Sequence, residues 1–404
     1  MTMMIQKAGK QERITDVDAL RGFALFGILV VNITAFASPY YGLGVADPAF
    51  SGPVDRAVQF FIAMLFETKF YLLFSFLFGY SFTLQVQSAE RAGEAFVPRL
   101  LRRQVGLWVI GLAHAVLLFH GDILTTYAVL GVVLLVLRDI KEATALRLAK
   151  WLVIGAAALW AIFAVLQLLD PAALDPATNL AEGEAAMAAY LGTPGTVIDQ
   201  HLVELGNVWV VIGLMQGPSA LAMFLVGLVA GKRRLFVRLD DYRPLLCRML
   251  VAGLTIGLAG AAFYGWSSVY LVGTVWDLPG LAVGLLTAPL LTGAYVALAM
   301  LAFQGSRRLA GMLAPAGRMA LSNYLFQSLV CATLFYAYGF RLMGEVSPLG
   351  GLLLAVAIFA VQLALSRWWM AHFVYGPLEW LLRAVTIAAW PSLRKQGTSA
   401  AASR

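Results

Sequence analysis

Apolar positions in this chain neither alternate nor keep to one helical face. They run in blocks of roughly 17 to 25 residues divided by short polar stretches, the length an α-helix needs to cross a bilayer. The weaker alternation of a membrane barrel is not seen. The pattern predicts about ten spans, near residues 20–38, 68–87, 104–120, 123–138, 149–169, 206–231, 248–268, 279–303, 319–340 and 349–371. Residues 53–66 mix Asp55, Arg56 and Gln59 into an apolar run and read as an interfacial helix, and 376–390 is too short and too charged to cross. Within 206–231, Gln216-Gly217-Pro218 predicts a kink, because Pro removes a backbone hydrogen bond.

The expected fold is therefore all-α: one polytopic transmembrane domain over residues 1–404, with helices over 19–140 and 230–390 and an outer loop at 171–205. Composition agrees, since 61% hydrophobic and 13% charged residues cannot coat a soluble fold of this size. The net charge of +7 would hint at nucleic acid in a soluble protein. Here the basic residues fall in alternate loops: Lys7, Lys10 and Arg13, then Arg99, Arg102 and Arg103, then Arg138 and Lys141, Lys232 to Arg234, Arg307 and Arg308, and Arg394 and Lys395. The longest intervening loop holds Asp175, Glu182, Glu184, Asp199 and Glu204. The positive-inside rule then puts both termini in the cytoplasm, and no nucleic-acid partner is implied. Ala35-Phe36-Ala37 imitates a secretion-signal cleavage site, but Asp16, Asp18 and Arg21 before the apolar run argue for a retained first span. Cys247 and Cys331 offer neither a disulfide framework nor a zinc site, and no metal or permanently bound cofactor is expected.

Polar groups deep in lipid cost roughly 2.5 to 3.5 kcal/mol when charged, so each asks for a partner or a cavity. Asp18, Arg21 and Asn32 share one face of the first span, with Asn32 about 16 Å from Arg21. They are either a rim ion pair plus a helix-bridging Asn, or a stripe facing a cavity. His114 lies roughly 15 Å into the third span. It reads as a helix bridge or, as a neutral imidazole, as a general base. His120 and Asp122 sit at the outer turn, where they orient a polar acceptor or decorate a tight turn at Gly121. Asn323 and Gln327, with Ser322 and Ser328 nearby, form an amide stripe at i,i+4 that reads as helix glue or as a binding stripe. Arg99, Arg102 and Arg103 anchor topology or grip phosphates. Gly253, Gly257 and Gly260 allow close approach of another subunit or of another helix of the same chain. P-loop, H-E-x-x-H and G-x-S-x-G signatures are absent.

Four runs carry a resemblance: Asp18-Ala-Leu-Arg21-Gly22 through Asn32; Phe74-Ser75-Phe-Leu-Phe78-Gly79; His114 with Gly121-Asp122 and Tyr127; and Gly317-Arg318 to Ser328 with Gly376-Pro377-Leu-Glu379-Trp380-Leu-Leu-Arg383. In this order they resemble the YeiB family of bacterial membrane proteins, catalogued as domain of unknown function 418. More distantly, the Leu-Arg-Gly opening is similar to transmembrane acyltransferases, namely acyltransferase family 3 and heparan glucosaminide acetyltransferase. Arg99-x-x-x-Arg103 resembles an R-x-x-x-R motif of the former. Acyltransferase family 3 has its catalytic His where this chain has Asn32, so no catalytic His transfers by motif, and His114 is chosen on depth and chemistry. The resemblance implies a bacterial inner-membrane acyltransferase. On the expected reading acyl-CoA is the co-substrate, held by Asp18, Arg21, Arg99, Arg102 and Arg103; His114, taken from its depth and chemistry, is the base, with Asn32 and Asp122 catalytic and Asn32 or Asn323 meeting the oxyanion; and a carbohydrate or lipid acceptor approaches past His120 and Asp122, with Gln327 also lining the site. The alternatives are a transporter or flippase with its site at the Gly217-Pro218 break, and a non-catalytic protein binding membrane lipid.

Overall fold

With no water in the hydrocarbon layer to satisfy backbone amides, a chain of apolar blocks has to close its hydrogen bonds within each segment, and helices result. A computed structural model describes residues 2–91, 93, 95–170 and 175–395; the side chains of 2–14, 91 and 208–212 lie outside the description. Lys7, Lys10 and Arg13 are among the latter, and 171–174 of the expected outer loop lie outside the described residues. Sixteen α-helices follow in order: α1 (Thr2–Ala37), α2 (Pro53–Leu65), α3 (Lys69–Arg91), α4 (Phe96–Leu117), α5 (Leu124–Val136), α6 (Glu142–Leu169), α7 (Pro176–Gly192), α8 (Pro194–Val211), α9 (Gly217–Lys232), α10 (Arg243–Ala252), α11 (Leu258–Tyr270), α12 (Asp277–Gly305), α13 (Arg307–Arg318), α14 (Ala320–Phe335), α15 (Pro348–His372) and α16 (Pro377–Ile387). Among the described residues there is no β-strand, only one isolated bridge between Phe373 and Arg394.

Eight segments are long and apolar enough to cross a bilayer, which makes this a multi-pass membrane protein: Thr15–Ala37, Pro53–Glu90, Phe96–Leu117, Glu142–Leu169, Gly213–Lys232, Arg243–Tyr270, Asp277–Gly305 and Pro348–His372. Leu124–Val136 and Ala320–Phe335 are apolar but shorter. Three local expectations change. The expected outer loop is instead two helices, α7 and α8, and α8 absorbs the first residues of the block expected at 206–231. The predicted kink at Pro218 takes the form of a π-helical turn, Ile212–Gln216, directly before α9, one of the recognised ways a helix absorbs an irregularity. The segment expected to lie at the interface forms one apolar stretch with α3, Pro53–Glu90; its helix α2 packs along α11 and joins α3 through a sharp turn at Thr68, whose φ of 64° is left-handed.

Glycines set the closest helix approaches. A Cβ on Gly79 would strike the backbone carbonyl of Phe224, and one on Gly227 that of Phe76, so α3 and α9 lie backbone against backbone. Gly22 and Gly317 do the same for α1 and α13, against the carbonyls of Leu313 and Asp18. Gly253, Gly257 and Gly260 face Leu290, Leu291 and Thr287, so their close partner is α12 of the same chain. The helix ends are then pinned. Glu379 on α16 accepts from the amides of Leu321 and Ser322 at the start of α14, while Ser322 Oγ accepts from the amide of Leu378 at the start of α16. These bonds satisfy orphan donors of both helices.

The two ends differ in charge. One gathers Arg233 on Glu142 (2.7 Å), Lys232 on the Ile140 carbonyl (3.0 Å), Arg307 on Asp16 (2.8 Å) and Arg21 on Ser81 (2.7 Å). The other is capped by α7 and α8, held by Asn179 on the Leu43 carbonyl (2.9 Å), the Ala337 amide on the Tyr190 carbonyl (2.8 Å) and Arg341 on the Gly192 carbonyl (3.0 Å).

Packing this tight at Gly227 leaves no room for a methyl group. Gly227→Ala is expected to lower stability by about 1 to 3 kcal/mol, read as a lower Tm in detergent. Gly155→Ala is the control: a Cβ there meets nothing within 4 Å, and its Tm holds or rises with helix propensity.

Candidate active site

α4 ends one turn after His114, whose carbonyl accepts from the amides of Leu118 (2.9 Å) and Phe119 (3.0 Å). The chain turns through Gly121 and re-enters as α5, with Asp122 in the turn. Asp122 Oδ2 accepts from the Thr125 amide (2.8 Å) and caps the first turn of α5. Its Oδ1 lies 2.8 Å from His114 Nδ1. Close approach depends on Gly111, one turn before His114: a Cβ there would stand 2.7 Å from the Thr125 nitrogen and 2.9 Å from Asp122 Oδ2. On the opposite side of the imidazole, Nε2 lies 2.8 Å from Ser328 Oγ of α14. An ionised Asp122 only accepts, so the Nδ1 proton points to it, and the Nε2 lone pair faces the Ser328 hydroxyl. The His114 and Asp122 side chains are 0% and 1% exposed.

The arrangement is a buried carboxylate, imidazole and hydroxyl in series, each within hydrogen-bond reach of the next, the geometry that activates a hydroxyl. The Tyr324 ring packs 5.0 Å from His114, one helical turn before Ser328. Tyr127, part of the same sequence run, is structural. Its hydroxyl meets Ser75 Oγ (2.7 Å) and the Tyr71 carbonyl (2.8 Å), tying α5 to α3.

The other expected site residues divide into three places. Asn323 donates both amide protons, to the Ala316 carbonyl (3.0 Å) and Ser366 (2.9 Å), and Gln327 donates to Gln362 (2.8 Å), so this pair joins α14 to α15. Among the described residues neither Asn32, half-buried on α1, nor Asn323 hydrogen-bonds to His114. At the basic end Asp18 pairs with Arg21 (2.5 Å). Arg103 is half-buried, its Nε has no hydrogen-bond partner, and its charged neighbours are Arg21, Glu379 and Arg383. Arg99 is half-buried and Arg102 exposed, its Nε donating to the carbonyl of Pro98 (3.3 Å). At the capped end His120 Nδ1 meets Glu204 (2.5 Å) and the Tyr190 hydroxyl (3.1 Å), and Glu204 also accepts from Tyr190 (2.7 Å) and Gln200 (2.9 Å). Burial opposes ionisation of Glu204, but the hydrogen bond and charge of His120 with the Gln200 and Tyr190 donors outweigh it and hold the carboxyl below its ordinary range.

Sequence reasoning missed Ser328 as the partner of His114, Gly111 as the space Asp122 needs, Arg383 at the basic cluster, and the residues of α8 beside His120. Ser328 left a signal as a hydroxyl on the polar stripe of its helix, and Arg383 and Glu204 stood in runs already noted, but without their partners. Nothing local marks the others, because their partners lie on remote segments.

Fold and site together define a multi-pass helical membrane protein built around a buried Asp–His–Ser series. The family described as "Protein of unknown function (DUF418)" matches residues 230–389. The chain is similar to "Uncharacterized protein YxaH" of Bacillus subtilis (strain 168), at 32% identity over 97% of this chain and 98% of that one. It is likewise similar to "Uncharacterized protein YeiB" of Escherichia coli (strain K12), at 29% over 95% and 99%. It belongs to the YeiB family that carries the DUF418 region. No solved structure matches it.

His201 of α8 is fully buried, with Nδ1 on the Val116 carbonyl at 3.0 Å. Burial drives its pKa from 6.5 down to about 4. Below pH 6.5 the unfolded segment takes up a proton that the folded one refuses, so stability present at neutral pH is lost as pH falls toward 4. Between pH 7.5 and 5 the docking of α7 and α8 is expected to weaken by about 2 kcal/mol. Faster amide hydrogen exchange in these helices checks it, and His201→Gln should flatten the pH dependence.

Proposed function

We propose that this protein is an acyltransferase of a bacterial cytoplasmic membrane, passing an acyl group from cytoplasmic acyl-CoA to a hydroxyl or amine of a carbohydrate or lipid acceptor on the other side. The observation that carries the reading is the His114–Asp122 pair, an imidazole held in one tautomer with its free lone pair against a hydroxyl. His114 is the general base, and Asp122 orients it and stabilises the imidazolium. Eleven residues of α4 separate Arg103 from His114, about 16 Å along the helix, a span suited to the extended pantetheine arm of CoA. In this reading Arg103, Arg21 and Arg383, already faced by Glu379 and Asp18, hold the CoA phosphates. Asp18 orients Arg21, while Arg99 and Arg102 guide the anion from the surface. Asn32 lies on the same helix and face as Arg21 and is assigned to the acyl carbonyl. His120, with Glu204 and Tyr190, receives the acceptor at the capped end, and Asn323 and Gln327 keep the α14 wall of the site in place.

A second reading is lipid binding without chemistry. It is favoured by a lateral groove of about 470 Å³ among α6, α9 and α12, lined by Val153, Met223, Val226, Leu286 and Leu290 with Lys150 beside them, a setting for an acyl chain and an anionic headgroup.

Acyl-CoA-dependent release of free thiol in nanodiscs separates the two readings. His114→Ala should abolish it and Asp122→Asn should lower kcat by about 10² to 10⁴-fold, with folding unchanged by Tm. Arg103→Ala should raise the KM for acyl-CoA with kcat largely kept. Full turnover in His114→Ala would remove the assigned base, and the absence of turnover with every acyl-CoA chain length would leave the lipid-binding reading.

A further inference from the structure

Ser328 is buried at 2% exposure in the middle of α14, where an unpartnered hydroxyl would bond back to its own helix. Its contact to the Tyr324 carbonyl is long, 3.4 Å, and the short contact is the 2.8 Å one to His114 Nε2. A hydroxyl carries one proton. With Nδ1 committed to Asp122, the proton of Ser328 goes to the imidazole lone pair. The series that results, with Asp122 capping α5, His114 ending α4 and Ser328 on α14, has the three-part logic of an activated nucleophile: hydroxyl on base, base on an orienting carboxylate.

We infer that Ser328 is the covalent nucleophile of this protein, carrying the acyl group as a serine ester between donor and acceptor, an inference that rests on the acyl-transfer reading above. Ser328 Oγ forms the new bond to the thioester carbonyl carbon while its proton passes to His114 Nε2. The tetrahedral oxyanion collapses with cleavage of the C–S bond. CoA leaves as the thiol with the proton from His114. In the second half the acceptor hydroxyl or amine gives its proton to His114 and attacks the ester carbonyl, and Ser328 leaves with that proton restored. Charge and electrons balance without any oxidant or reductant. Two half-reactions at one serine also let donor and acceptor be used in turn, so they need not occupy this closed interior together.

The test uses the full chain in nanodiscs. Wild-type protein is incubated either with acyl-CoA or with an alkyl fluorophosphonate, which phosphonylates activated serines whatever the natural donor, and the adduct is mapped by peptide mass spectrometry. The expected result is both adducts on Ser328, each lost in His114→Ala, with turnover lower by about 10³-fold or more in Ser328→Ala and ping-pong kinetics. Ser328→Cys, near in size, checks folding and should accumulate the acyl group as a thioester. A fluorophosphonate adduct at Ser328 with no acyl-CoA turnover supports the nucleophile and overturns acyl-CoA as donor. His114-dependent turnover with no adduct at Ser328, and within about tenfold of wild type in Ser328→Ala, overturns the nucleophile and leaves direct transfer by His114. Neither adduct nor turnover in folded protein overturns both.

Discussion

Three helices meet at one imidazole. A fully buried polar side chain has to find its partner inside the protein, and His114 finds two, Asp122 on one nitrogen and Ser328 on the other. That requirement fixes the turn between α4 and α5, because Asp122 must reach back across Gly111 while capping the helix it begins. It also fixes the rotation of α14, whose other polar residues, Asn323 and Gln327, then face α15. Interhelical hydrogen bonds in membranes contribute only about 0.6 to 2 kcal/mol each, too little to hold such an assembly alone. The polar series therefore specifies geometry, and stability comes from packing.

That packing is concentrated where side chains are missing. α3 and α9, and α1 and α13, touch through backbone at Gly79, Gly227, Gly22 and Gly317, which multiplies dispersion contacts in a medium that offers no hydrophobic drive between helices. The Leu-Arg-Gly run thus has two jobs on adjacent residues: Gly22 admits the carbonyl of Leu313, and Arg21 bridges Asp18 and Ser81 at the rim. Ser322 and Glu379 then close the helix ends on one another, so these runs need no catalytic explanation residue by residue.

The ends of the bundle are chemically unlike. A half-buried arginine with like-charged neighbours marks one, and a cap of α7 and α8 resting on His120, Tyr190 and Glu204 marks the other. The buried series lies beneath this cap, with Phe119 between: its ring centroid is 6.4 Å from that of His114 and 5.2 Å from that of His120. Cationic side chains gather on one side, histidine and carboxylate on the other, and a buried Asp–His–Ser series lies between.

The sequence by itself determined what depends on local composition: the apolar blocks as helices, the alternation of basic loops, and the break in the helix before Pro218. It put His114 deep in its span, whereas α4 ends three residues after it. It left open which helices would be neighbours, and so could not decide between bridge and base for His114 or between subunit and helix for Gly253, Gly257 and Gly260. It read 171–205 as a loop because acidic residues and a break in hydropathy look alike whether the segment is irregular or folds into helices outside the apolar blocks. Only the tertiary structure set Ser328 against an imidazole 214 residues away in sequence, since periodicity reports which face of a helix is polar but carries no record of what that face will meet.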